Sequence, residues 1–324
     1  MNIGIIGGSG ANEVIEAFGV DAKLHTTDKH ELNGVDYIDF RHNDNYIVFI
    51  LRHGKEHTRD PARLDPRPIV RKLEELLGKD DSQRLIIQTS ASGSLDTSIK
   101  LVDEGGIVVC CDVMRGFGFT TTTFSGEDGK PLHAVMANPF SKKARILALD
   151  AIAKVEGARG YDGGIYVNNQ GNQFETAAEI AALYSLLDTP ACRVDFYAEA
   201  LDQNKAQLDN LRRKNPSNLL EISALCGKIT HYESQLAMYQ ALSNSLNVTQ
   251  ATVSMNAAKE VPLLKEAGFN HIVLLSFPVN YGVGLIPDEK VDHERTINAI
   301  TKATRPYIAP VLKNMIEMAR EYIK

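Results

Sequence analysis

The sequence predicts an α/β protein with a mostly buried sheet, interrupted by a helical hairpin. Three observations carry this. Short apolar runs of strand length alternate with helical patterns along most of the chain. Strand-like runs such as "NIGIIG" and "HIVLLSFPV" are mostly apolar, as expected when helices cover both faces of a sheet. Between residues 191 and 246 the strand signals stop, and apolar residues recur only at helical spacing.

Taken in order, "NIGIIG" reads as a buried first strand, closed by Gly7, Gly8 and Gly10. "ANEVIEAFG" suits a short helix. "VDYIDF" and "YIVFIL" read as strands around the turn-like "RHNDN". "PIVRKLEELLG" is an amphipathic helix with a glycine stop. "RLIIQT" is a strand running into the small-residue stretch "SASGSL", and "GGIVVCCDV" is another strand. "SKKARILALDAIAKVEG" is a helix entered at Ser141. "GGIYVNN" is a strand leading into "QGNQFETAAEIAALYSLL", a loop that becomes a helix. "QATVSM" and "HIVLLSFPV" are strands separated by the helix "AAKEVPLLKEAG". The chain closes in helices interrupted at Pro306 and Pro310.

In the strand-free segment, Val194, Tyr197, Leu201, Asn204, Leu208 and Leu211 recur at spacings of three and four. Ile222, Leu225, Ile229, Tyr232, Leu236 and Tyr239 do the same after "NPSN". This is the seam of an antiparallel helical hairpin with Pro216 at its tip and Asn204 as a register-setting polar residue. The expected division is an α/β domain of residues 1–190 and 247–324 and a hairpin of 191–246. The hairpin reads either as a contact arm for a partner or oligomer or as inert decoration.

Composition narrows the function. The 324 residues are 44% apolar and 23% charged, with a net charge of −6. That argues against a nucleic-acid binder or a membrane-surface protein. No apolar run approaches the ~20 residues of a membrane span, and no secretory leader is evident, so a cytoplasmic protein is expected. The four cysteines lack zinc spacing and read as buried thiols.

Several strand exits carry anion-binding chemistry. A dinucleotide turn needs a third small residue after Gly8-Ser9-Gly10, where Glu13 stands, and an acid about 20 residues further on. That reading is weak. A phosphate cradle and a ligand-free tight turn remain open for this stretch. "ILRHGKEHT" ends a strand with Arg52, whose planar fork suits oxyanions, and His53. "QTSASGSL" adds hydroxyls and backbone N–H groups at another strand end.

In this order, "IGIIGGSG", "RHGKEHT", "TSASGS", "QGNQFETAAE" and "SMNAAKEVPLLKEAG" resemble the trimeric purine nucleoside phosphorylase and methylthioadenosine phosphorylase family. The resemblance spans the chain outside the hairpin. It implies a single nucleoside phosphorylase-like α/β domain around a twisted mixed sheet flanked by helices, assembled as a homotrimer and working in purine salvage. It implies phosphate contacts for Ser9, Arg52, His53, Ser90, Ala91 and, in altered form, Asn256. It places Phe174 on the purine face, Glu175 and Asn280 on its edges, and Met255 beneath the ribose. His133 corresponds to a residue that reaches a neighbouring subunit's site. The implied reaction is phosphorolysis of a purine nucleoside to free purine and pentose 1-phosphate. Inorganic phosphate is the co-substrate, and no metal or organic cofactor is needed.

The residue types suit that chemistry. Cleaving an N-glycosidic bond builds positive charge on the sugar and negative charge on the purine, so a held phosphate can stabilise the carbon and attack it. A glutamate accepts from the N1–H of a 6-oxopurine, and an asparagine can donate to O6 where an aspartate could not. Glu175 with Asn280 therefore favours inosine or guanosine. The family pattern is broken at Asn256, which replaces a serine or threonine, and at Asn172, which replaces a proline. Asp65, the stretch "MRGFGFTTTT" and the hairpin also depart from it. These departures keep open a divergent specificity or a non-catalytic nucleoside-binding or scaffold role, while His133 and the "RHGKEHT" context resemble the methylthioadenosine branch and keep that substrate open.

Overall fold

The computed structural model describes residues 1–8, 11–19, 23–27, 34–55, 59–116, 122–127, 131–169, 173–245, 250–289 and 291–323; within these, the side chains of 12, 188–196, 239 and 241–245 are left aside. Packing divides the chain into two units, Met1–Ile180 with Thr249–Lys324, and Ala181–Val248.

Among the described residues the first unit holds nine strands: β1 (Asn2–Gly7), β2 (Leu24–Thr26), β3 (Asp36–His42), β4 (Asn45–Leu51), β5 (Arg84–Ser94), β6 (Gly106–Arg115), β7 (Arg159–Asn168), β8 (Thr252–Ser254) and β9 (Ile272–Tyr281). They form one mixed sheet in the order β2-β3-β4-β1-β5-β8-β7-β6-β9, and β5 also pairs with β9. That last pairing closes β5, β8, β7, β6 and β9 into a ring, while β1 to β4 extend from it as an open wing. In the wing, β4, β1 and β5 run parallel, and β9 runs parallel to β5. The carboxyl ends of these four strands therefore share one edge. The β3–β4 hairpin turns on Asn43 and Asp44, both at positive φ (45° and 60°), as a two-residue turn of this twist requires.

Helices cover both faces. On one side, α1 (Ala11–Phe18), α3 (Lys142–Ala153), α7 (His293–Ala303) and α8 (Ala309–Tyr322) pack on Ile3, Ile5, Ile87, Val273 and Leu275. On the other, α2 (Arg67–Leu77) and α6 (Ala257–Glu266) pack on Ile6, Val48, Ile86 and Leu274. Alternate residues of each strand thus serve opposite cores. Ser141 caps α3, its Oγ accepting from the Ala144 N–H at 3.4 Å. Between α7 and α8 the chain does not break at Pro306; it passes through one π-type turn, Thr304–Ile308, and Pro310 sits in the first turn of α8.

Two features depart from the sequence reading. β5 does not stop at Thr89 but continues through the small-residue stretch to Ser94, because β8 and β9 supply partners there. The three-residue β2, paired on β3, is too short to leave a pattern.

The second unit is helical. A single helix, α4 (Ala177–Lys214), runs through residue 190, so the sequence-drawn boundary there falls inside a continuous helix. It is followed by α5 (Leu219–Ser245), and the turn between them contains Pro216. Leu201, Leu208, Leu225 and Ile229 form the seam, with Leu211, Ile222, Cys226, Tyr232 and Leu236 against them. The rings of Tyr197 and Tyr232 lie 6.0 Å apart, and Lys205 pairs with Glu233 at 2.9 Å. The side chains of Val194 and Tyr239 lie outside the description. Asn204 does not set register across the seam. Its amide donates to the Ala200 carbonyl of its own helix at 2.7 Å, the nearest acceptor one turn back.

Among the described residues no helix is long and apolar enough to cross a membrane. The packing sets a contrast for unfolding experiments. Leu312 is fully buried and Leu220 is 87% exposed. Leu312→Ala is expected to lower unfolding free energy by about 2–5 kcal/mol, and Leu220→Ala by less than about 0.5 kcal/mol, read from urea midpoints at unchanged slope.

Candidate functional site

At the shared edge lies a cavity of about 500 Å³. Its wall includes Gly8 beyond β1, Arg52 and His53 beyond β4, and Ser90, Ala91, Ser92 and Gly93 in the last half of β5. Arg59, Asp60 and Pro61 come from the following loop, and Phe174 and Glu175 from the approach to α4. Val253, Ser254, Met255 and Asn256 join β8 to α6. Val279 and Asn280 end β9, and His293 and Thr296 stand in the first turn of α7. The carboxyl ends of parallel strands are where α/β sheets collect ligands.

Arg52, His53, Ser90, Ala91, Phe174, Glu175, Met255, Asn256 and Asn280, drawn from distant stretches of sequence, thus border one space. Ser9 and Asn172 lie outside the described residues. His133 is exposed and is not part of this wall.

Arg52 is 1% exposed, yet it is a full ion-pair partner. Its Nε donates to Glu260 Oε1 at 2.5 Å, Nη2 donates to Oε2 at 2.8 Å, and Nη1 donates to the Thr89 carbonyl at 3.0 Å. Burial alone would weaken the cation, but contact with Glu260 holds its pKa above the ordinary value. Gln88 Nε2 adds a bond to Glu260 Oε2 at 2.6 Å. A guanidinium has five N–H donors, so the three bonds leave two for a ligand. Gly8 packs against this group: a Cβ there would lie 2.9 Å from Arg52 Nη1 and 3.1 Å from the Thr89 carbonyl. The glycine turn is therefore a close-approach site, whatever it binds.

A hydroxyl cluster sits beside the guanidinium. Ser90 Oγ lies 2.9 Å from the buried Tyr166 hydroxyl and 3.2 Å from Ser254 Oγ, and Ser254 donates to the Ala91 carbonyl at 2.7 Å. Burial pushes the Tyr166 hydroxyl up, so it stays protonated and can donate to Ser90. Ser90 Oγ in turn donates to Ser254 Oγ, whose own proton goes to the Ala91 carbonyl, so the Ser90 proton is held within the cluster. His53 Nδ1 lies 3.1 Å from the Arg59 carbonyl; a carbonyl only accepts, so Nδ1 carries a proton.

Asn256 behaves differently from the sequence expectation. The amide orientation that satisfies its neighbours donates to the Pro61 carbonyl at 3.0 Å and the Met255 carbonyl at 3.2 Å. Both amide protons are then committed, and none is left for an anion. The longer side chain has become a strut between α6 and the loop at residue 61.

At the other end, a bulge between Ser92 and Gly93 shifts register so that Gly93 faces Asn280. Such a bulge re-aims the side chain that follows it. Asn280 is 5% exposed and donates one amide proton to the Tyr281 carbonyl at 2.6 Å, keeping the other and its oxygen. Burial pushes the Glu175 carboxyl above its ordinary range, although Asn169 donates to it at 3.1 Å. Phe174 stands 36% exposed beside it, offering a flat apolar face. Among the described residues no group of three or more His, Cys, Asp or Glu side chains is placed to hold a metal ion.

The sequence reading missed Glu260, Tyr166, Ser254, Arg59 and His293. Glu260 lies 208 residues from Arg52, so spacing could not pair them. A carboxylate among the apolar residues of "AAKEVPLL" was the available signal, since a buried acid demands a partner.

No family model matches the chain. Curated relatives do. The chain is 31% identical over 203 residues to the probable 6-oxopurine nucleoside phosphorylase of Korarchaeum cryptofilum, covering 58% of this chain and 68% of that protein. It is 31% identical over 185 residues to the probable S-methyl-5'-thioinosine phosphorylase of Methanothermobacter thermautotrophicus, covering 57% of this chain and 60% of that one. The first relatives are matched over 52% to 68% of their own length. In fold, the chain is similar to the methylthioadenosine phosphorylase of Schistosoma mansoni, with a TM-score of 0.64 at 18% identity, covering 98% of this chain and 92% of that one.

The pair at the centre of the site gives a stability test. Glu260→Gln strands a buried cation and is expected to cost about 3–5 kcal/mol, measured by chemical unfolding. Replacing Arg52 and Glu260 together by apolar residues should recover much of that loss.

Proposed function

Because the chain belongs to the purine nucleoside phosphorylase and methylthioadenosine phosphorylase family, we propose that it cleaves a 6-oxopurine nucleoside with inorganic phosphate, giving free purine and pentose 1-phosphate. One observation carries the reading. A single cavity joins an oxyanion end (Arg52, His53, Ser90) to an end suited to a purine (Phe174, Glu175, Asn280).

In this mechanism the C1'–N9 bond breaks and its electron pair goes to the purine. A phosphate oxygen forms the new bond to C1'. Arg52, His53 and Ser90 hold the phosphate, and Met255 packs beneath the sugar. Asn280 donates its remaining amide proton where negative charge develops on the base, and Glu175, ionised, accepts the N1–H. Phosphate stands as co-substrate, with no resident metal or organic cofactor in the scheme. The relatives named for 6-oxopurine nucleosides and for methylthioinosine share a 6-oxo base by name, which supports the assignment to the Glu175–Asn280 pair.

The same reading makes the enzyme a cytoplasmic homotrimer of purine salvage. The unit Met1–Ile180 with Thr249–Lys324 is then its catalytic domain and Ala181–Val248 an insertion. His133, exposed in its own subunit, then serves a neighbouring site. Light scattering on the purified protein tests the assembly.

The deciding assay follows release of base from inosine, guanosine, methylthioinosine and methylthioadenosine with and without phosphate. Phosphate-dependent release from the 6-oxo substrates is expected. Equal release without phosphate would make the protein a hydrolase, and binding without turnover a nucleoside-binding descendant.

Two variants probe the base end. Asn280→Asp is expected to lower kcat/KM for inosine by about tenfold or more, the worth of one charge-assisted hydrogen bond, and to shift preference toward 6-amino purines. Glu175 must be ionised to accept N1–H, and its pKa is raised by burial. Activity is therefore lost as pH falls through a value above the ordinary carboxylate range. That acid limb should vanish from the kcat/KM profile of Glu175→Gln.

A further inference from the structure

We propose that Arg59 is a second oxyanion-binding cation of this cavity; the identity of the anion as phosphate rests on the phosphorolysis reading above. The need arises from the geometry of the first. Glu260 already neutralises Arg52, and Asn256 has no amide proton to give. A phosphate in this cavity would meet few donors at its oxyanion end unless another cation takes part.

Arg59 borders the same space as Arg52, His53 and Asn256. The backbone ties it to His53: its N–H donates to the His53 carbonyl at 3.1 Å, and its own carbonyl receives His53 Nδ1 at 3.1 Å. Its guanidinium folds back across Gly54, which sits at φ +80°. A Cβ on Gly54 would lie 3.1 Å from Asp36 Oδ2 and 3.5 Å from Arg59 Nε, so the positive φ favours glycine and the Asp36–Arg59 pair packs directly against it.

The side chain is 13% exposed. Arg59 Nη2 pairs with Asp36 Oδ2 at 3.2 Å, and that oxygen is shared with the Lys55 N–H at 3.0 Å. Nη1 is buried and has no hydrogen-bond acceptor. Native proteins rarely leave a charged donor so, and a ligand oxygen is a natural missing partner. A phosphate presents several anionic oxygens to such a fork. The cavity then grips its anion between two guanidinium groups, each restrained by its own carboxylate.

The test measures KM for phosphate at saturating inosine, KM for inosine at saturating phosphate, and calorimetric binding of inorganic phosphate to the nucleoside-free protein. Arg59→Gln is expected to raise the phosphate KM and Kd by about tenfold or more, the loss of one charged contact, with the inosine KM within about twofold. Arg59→Lys, which keeps charge but loses the fork, should fall between Gln and wild type. Asp36→Asn leaves the guanidinium and removes its counter-charge, so phosphate should bind as well or better.

Unchanged phosphate parameters in folded Arg59→Gln would overturn the proposal. So would an Asp36→Asn variant that loses phosphate as badly, since Arg59 would then only hold the loop. A wild type that binds phosphate but releases no base would sink the reaction and leave the cation assignment standing.

Discussion

The site depends on a carboxylate that touches no ligand. Glu260 takes two donors of Arg52 and one of Gln88 in a region sealed from water. It thereby joins the first turn of α6 to the exit of β4 and the middle of β5. Taking two charges out of water is costly, and only close bidentate geometry with further hydrogen bonds offsets it. The pair therefore contributes placement more than net attraction. Arg52 enters the cavity as an oriented set of N–H groups whose charge is already balanced. Under the proposed phosphate binding, Arg52 would contribute direction, and charge complementarity would come from elsewhere in the wall.

The fold supplies the two ends of the cavity by different means. The open wing delivers its residues by parallel register: β1 and β4 end level with the middle of β5, so Gly8, Arg52 and Ser90 fall side by side. The ring delivers its residues by irregularity. The bulge beside Gly93 brings Asn280 to the rim, and short β8 ends just where Ser254 meets Ser90. Inside the ring, Ser92, Ser276 and Thr252 form a chain of hydroxyls at 2.7 and 2.8 Å.

How much of this could be read beforehand varied with the kind of signal. Runs such as Ile272–Leu275 are apolar from end to end and announce themselves as strand. Residues 90–94 did not, because small and hydroxyl residues carry no strand preference and only their neighbours make them one. Residue types at strand ends pointed to Arg52, His53 and Ser90, since position and chemistry agreed there. Pairings across long sequence separation were invisible: nothing near Arg52 names Glu260, and nothing near Asn256 names Pro61. The hairpin seam was legible from spacing, whereas the bonding of Asn204 depended on which acceptor lay nearest in three dimensions.

Ring closure has a consequence for when the protein becomes competent. β5 is finished at residue 94, but its partners β8 and β9 come from residues 252–281. A chain emerging from the ribosome can assemble the wing early, with α1 and α3 on one face and α2 on the other, before α6, α7 and α8 exist. During that interval Arg52 has no counter-ion and the rim has no Asn280. Pairing over such separations is slow to form, so the cavity wall is completed late, after β9 and with His293 and Thr296 of α7.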